Sequence, residues 1–99
     1  MKLTSKQKKY LKGLGHHLKP IIQLGKDGVS KEFVANLDDC LEHHELIKIK
    51  VLENAPNEKG ELAVQIEKKT KGSVAQIIGR TLLFYRPFKE EPEIKLPKA

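Results

Sequence analysis

The chain has 99 residues, 38% of them hydrophobic and 5% aromatic, with 19 Lys and Arg against 13 Asp and Glu for a formal net charge of +6. That length suits one domain and excludes two, and the longest purely apolar run, residues 82–85, excludes a membrane-spanning helix, which needs about 20 apolar residues. The single cysteine, Cys40, excludes an intramolecular disulfide and a cysteine-rich metal site, and with no charged-then-apolar opening segment the expected location is the cytoplasm.

In chain order, Thr4-Ser5-Lys6-Gln7 has the form of a capping box, an acceptor at the N-cap and Gln three residues on. Leu11, Leu14 and Leu18 follow at helical spacing, with Lys6, Lys8, Lys9 and Lys12 on the other faces. They predict an amphipathic helix with a cationic outer surface that ends before Pro20. Ile21–Leu24, an apolar run between Pro20 and Gly25, reads as a buried strand, and Gly25–Gly28 as a turn. Ser30 is a good N-cap, with Val29 and Val34 at hydrophobic-staple positions. Phe33, Leu37, Cys40, Leu41 and His44 then recur at helical spacing, predicting a second helix of about four turns. Its outer face, with Asp38, Asp39 and Glu42, is acidic.

From Leu46 to Leu52 the pattern alternates, with Ile47, Ile49 and Val51 on one side and Lys48 and Lys50 on the other. This predicts a strand with one packed face and one partly cationic face. Asn54 or Asn57 can cap a third helix, with Pro56 near its first turn, Leu62, Ala63, Ile66 and Thr70 on its inner stripe and Gly72 at C′. Two β-rich runs, 73–78 and 81–86, flank Gly79-Arg80, which fits a two-residue hairpin. Residues 89–99, with Pro92 and Pro97, are predicted to be a loosely held tail on a domain spanning 1–88. The order α-β-α-β-α-β-β predicts a small α/β domain with a mixed four-stranded sheet and packed helices.

Charge is unevenly spread: +7 over residues 1–26, which hold no acid, −5 over 27–47 and +4 over 48–99. A basic stretch without an acid is the footprint of a polyanion partner. It runs into Gly25-Lys26-Asp27-Gly28, between a strand and a capped helix. Glycine lets backbone approach a ligand closely, the helix N-terminus offers N–H groups and a positive dipole end, and Lys26 adds a cation. Together they suit a phosphate, as the GxxG loop of KH domains suits a nucleic-acid backbone. The same residues also make an ordinary tight turn, and neither P-loop nor Rossmann spacing is present.

Four segments in order resemble the CRM domain, the chloroplast RNA splicing and ribosome maturation module: residues 11–20, 24–29, 41–48 and 78–86. The likeness spans about residues 2–88 and is strongest to the free-standing bacterial YhbY family. It implies a non-catalytic RNA-binding protein without cofactor, with a fold similar to the C-terminal domain of translation initiation factor 3. The implied partner is ribosomal RNA in large-subunit precursors, bound during ribosome assembly; plant members are associated with group II intron splicing. The family's GxxG loop falls on Gly25, Lys26, Asp27 and Gly28. Asp27 departs from what a phosphate prefers, and instead could cap the turn or bond a 2′-OH or base edge.

Lys6, Lys9, Lys12, Lys19, Lys48, Arg80 and Arg86 are the cations expected to surround the loop and attract RNA. Aromatic residues are few, which favours backbone and shape recognition over base stacking; Tyr10 is the stacking candidate and Phe33 reads as core. His16-His17 and His43-His44 lack metal-ligand spacing, so no metal is expected. Cys40 and His44, at i and i+4, read as a core pair rather than a catalytic one. A monomer with no membrane partner and no small-molecule substrate is expected. The competing readings are a ribosome-associated adaptor using the acidic helix face and a small RNA-processing enzyme.

Overall fold

The computed structural model describes residues 2–98. Its elements are α1 (Ser5–Gly15), β1 (Pro20–Leu24), α2 (Lys31–His43), β2 (Leu46–Val51), α3 (Lys59–Thr70), β3 (Ser73–Ile78) and β4 (Thr81–Tyr85), in the predicted order. The strands form one mixed sheet, β1-β2-β4-β3. β1 runs parallel to β2, with α2 as the crossover such a pair requires, and β4 is antiparallel to both its neighbours. Both edge strands carry a register shift, β1 between Pro20 and Ile22 and β3 between Val74 and Gln76.

Strand alternation divides the core in two. Ile47, Ile49, Val51, Leu82 and Phe84 turn towards α2 and α3, where they meet Leu37, Leu41, Leu62 and Ile66. Leu46, Leu83 and Tyr85 turn the other way, with Ala75, and are covered by Leu3 and by Leu11 of α1. Burying a side chain such as Leu11 contributes about 2 kcal/mol towards holding α1 on the sheet. Lys48 and Lys50 share the Leu46 side of β2, so they lie on the α1 side of the sheet. The acidic helix α2 lies on the opposite side.

Local signals place the starts of two of the three helices. The Thr4 hydroxyl accepts from the Gln7 N–H at 3.1 Å and the Gln7 side chain accepts from the Thr4 N–H at 3.1 Å, the predicted capping box. Ser30 caps α2 through the Phe33 N–H. The hairpin turns at Gly79-Arg80, with Ile78 paired to Thr81 and Gly79 at φ +55°.

Other expectations change. Leu14 is 37% exposed rather than inward, because Gly15 takes the inward position against the Leu83 side chain. His44 is exposed too: the chain has already left the helix there, with φ −141° and ψ 128°. The N-cap of α3 is Glu58, without a side-chain bond, since the Asn57 amide donates to Glu61 instead. The left-handed residue that ends α3 is Lys71, not Gly72.

The segment expected to hang loosely is docked among its described residues. The Glu45 carboxylate, only 4% exposed, accepts from the backbone N–H groups of Phe88, Glu93 and Ile94. Ile94 and Leu96 pack against the α1-side core, and Gln7 donates to the Pro97 carbonyl. Backbone donors, which composition does not reveal, anchor this stretch.

Candidate nucleic-acid interface

The glycine turn forms because β1 ends at Leu24 and the chain must reverse into α2. Gly28 donates to the Gly25 carbonyl at 3.0 Å, closing a four-residue turn with Lys26 and Asp27 exposed at its tip. Gly28 itself is buried at φ +63°, and a Cβ there would approach Pro56 to 2.9 Å. Glycine is therefore favoured there by the backbone, and a substitution at Gly28 would test stability along with binding. The tip residues have no such duty.

Strand directions decide which cations the turn meets. The C-terminal ends of parallel β1 and β2 lie together, and the β3–β4 hairpin turns at that same end. Leu52 donates to the Leu24 carbonyl at 2.9 Å, and the Arg80 guanidinium donates to the Leu52 carbonyl at 3.1 Å. Two hydrogen bonds thus tie Arg80 to the residue preceding Gly25. Lys50 pairs in register with Gln23 and with Thr81, and is exposed beside them. Lys26, Lys50 and Arg80 therefore share one rim of the sheet. Lys50 was legible as the neighbour of Lys48 on the cationic side of its strand, but only the register shows that it is nearer the turn. Asn54, another residue of this rim, has its side-chain oxygen 3.6 Å from where a Gly25 Cβ would stand.

The remaining cations divide. Lys6, Lys9 and Lys12 are exposed on α1, on the same side of the sheet as Lys48 and Lys50. Lys48 is half-buried, its ammonium 3.5 Å from the His16 carbonyl. Lys19 is exposed at the start of β1, about 15 Å of strand away from the turn. Arg86 lies elsewhere: at the far end of β4, it donates to Asp38 at 2.8 Å and to the Thr70 carbonyl at 3.0 Å. About 20 Å of hairpin strand separates it from Arg80, so it does not join the track around the turn. It instead neutralises part of the acidic α2 face.

The other sequence candidates carry no assembled chemistry. Tyr10 is 42% exposed, whereas Phe33, Phe84 and Tyr85 are buried. His43 bonds the Asp39 carbonyl, and among the described residues no group of three or more His, Cys, Asp or Glu could hold a metal ion. Burial, and secondarily Asp39, push the Cys40 thiol above its ordinary pKa, which disfavours the thiolate a nucleophile needs. No described helix is long and apolar enough to cross a membrane.

With this geometry in view, known proteins give a consistent pattern. The sequence matches the CRS1 / YhbY (CRM) domain over residues 3–86. It is 44% identical over 97 residues to a Haemophilus influenzae protein named "RNA-binding protein", covering 97% of this chain and 96% of that one. It is 40% identical over 95 residues to "Probable RNA-binding protein YqeI" of Bacillus subtilis, covering 96% and 99%. The solution structure of a Staphylococcus aureus protein, described as a candidate RNA-binding protein, superposes with a TM-score of 0.82 at 44% identity, over 97% of this chain and all of that one.

Proposed function

This chain belongs to the CRS1 / YhbY (CRM) domain family, and from that premise we propose that it is a non-catalytic RNA-binding protein that engages ribosomal RNA of large-subunit precursors during ribosome assembly. The observation that carries the reading is the meeting of the Gly25–Gly28 turn with Lys50 and Arg80 at one rim of the sheet. Lys26 at the turn tip and the exposed Lys6, Lys9 and Lys12 of α1 continue that positive surface. Such point charges neutralise phosphates without reading bases, so affinity falls steeply with salt. The names of relatives in Haemophilus and Bacillus support RNA as the ligand. The protein works as a cytoplasmic monomer in this reading, with the acidic α2 face turned away from the RNA.

The test is a pair of charge reversals, Lys26→Glu with Arg80→Glu, at exposed positions. Binding to a structured fragment of large-subunit ribosomal RNA should weaken about tenfold or more at moderate salt, while the double variant stays folded, at a small cost for the lost Arg80–Leu52 hydrogen bond. Full affinity in the folded double variant would refute the turn as the site. Crosslinking in cells followed by sequencing of the attached RNA checks the target. Association with ribosomal particles that survives RNase would favour a protein adaptor instead.

A further inference from the structure

A second group of cations lies at the corner of the sheet diagonally opposite the glycine turn. Lys2 ahead of α1, Lys8 on α1, Lys68 in the last turn of α3 and Lys71 at its C-cap line one open cleft of about 500 Å³, completed by Gly72–Val74 at the start of β3. The residues come from chain segments some 60 positions apart, so the fold rather than local composition gathers them. Among the described residues lining the cleft the one carboxylate is Glu67, which accepts from the Val74 N–H at 2.9 Å. No ion pair within 4.0 Å engages any of the four lysines among the described residues.

Like charges gathered without counterions repel one another, and a polyanion relieves that repulsion on binding. Ammonium groups act as point charges that suit phosphate oxygens. No aromatic side chain lines the cleft, and Val64 is its one exposed large apolar residue. A docked protein segment would call for aromatic or apolar anchors. The cleft sits at the Ser73 end of β3, and the turn sits beyond the opposite end of β1 at the other edge of the sheet. Strand rise and strand spacing put the two roughly 20 Å apart.

We propose that this cleft is a second seat for RNA backbone, holding phosphates of nucleotides other than those at the glycine turn. The proposal rests on the RNA-binding reading and extends it to a surface outside the turn and its rim.

The experiment combines Lys8→Gln, Lys68→Gln and Lys71→Asn, the last chosen because Asn tolerates the left-handed backbone at φ +62°. Binding of the same ribosomal RNA fragment is measured over a salt series, beside the Lys26→Glu, Arg80→Glu variant and the combination of both. The cleft variant should lose about tenfold in affinity near 0.1 M salt and lower the slope of log affinity against log salt by about 3. The losses from cleft and turn should multiply. Unchanged affinity and slope in a folded cleft variant overturns the proposal while leaving the turn intact as a site. Loss in the cleft variant with none in the turn variant upholds the cleft and removes the turn. Weakened binding of poly-glutamate with RNA affinity intact overturns it in favour of an acidic protein partner. Should the triple variant melt early, Lys68→Glu alone, at an exposed helix position, is read by the same slope, with a fall of about 1 expected.

Discussion

Two glycines show how one residue type serves two physical needs. Gly28 was legible as part of a strand–turn–helix motif, and its φ of +63° bears this out. Gly72 was legible as a helix stop, but the left-handed residue there is Lys71. What Gly72 supplies is room: a Cβ would lie 2.5 Å from the Phe84 ring and 2.9 Å from the Tyr85 carbonyl oxygen. That contact joins residues twelve or more positions apart, so no local pattern announces it. Phe84 is fully buried and cannot step aside, whereas Pro56 beside Gly28 lies on an exposed loop. Gly28→Ala should cost about 1 kcal/mol from backbone strain, and Gly72→Ala about 3 kcal/mol from overpacking. Urea unfolding of the two variants checks the order, and equal losses would contradict it. The exposed tip residues Lys26 and Asp27 have no comparable structural duty, which makes them the right positions to probe chemistry.

Among the elements, those governed by near neighbours were readable and those governed by distant ones were not. The capping box of α1 and the Ser30 cap of α2 each close within three residues. The alternation of β2 and the hairpin at Gly79-Arg80 are equally local. The C-terminal segment depends on Glu45, whose acceptor oxygens meet donors 43 to 49 positions away. In the sequence Glu45 was one more acid near an acidic helix. Arg86 misled for the same reason, its guanidinium being committed to Asp38 and the Thr70 carbonyl from across the fold. Replacing Glu45 with Ala leaves three backbone donors without their acceptor. The expected loss is about 3 kcal/mol, with faster hydrogen exchange at the Phe88, Glu93 and Ile94 amides. Unchanged exchange at those amides would show that the docking rests on Ile94, Leu96 and the Gln7–Pro97 hydrogen bond instead.

At the scale of the whole molecule, the fold sorts a charge pattern that along the chain merely alternates. Basic α1 and the lysines of β2 occupy one side of the sheet, and acidic α2 the other, with Arg86 answering part of that acid. Charge segregation was visible in the sequence as +7, −5 and +4, but which segments would share a side was not, because strand order sets it. Burial also sets an alkaline limit. The Tyr85 phenol and the Cys40 thiol are both pushed up, chiefly by desolvation and secondarily by Glu45 and Asp39. Above about pH 9 the unfolded chain releases these protons while the folded chain keeps them. The folded state then binds more protons, so stability is whole below that range and falls as pH rises through the raised values. Denaturant midpoints should hold to about pH 8 and decline beyond about pH 9, and Tyr85→Phe should flatten the decline; a flat wild-type profile to pH 11 would contradict this. The two outer strands have a consequence of another kind. Pro20 removes a donor from β1, and each edge strand carries an irregular register. Edges of this sort are poor templates for adding a strand. Crowded copies are thereby kept from zipping into extended sheets, and any molecule that joins this one must meet side chains on its faces and rims rather than lengthen its ladder.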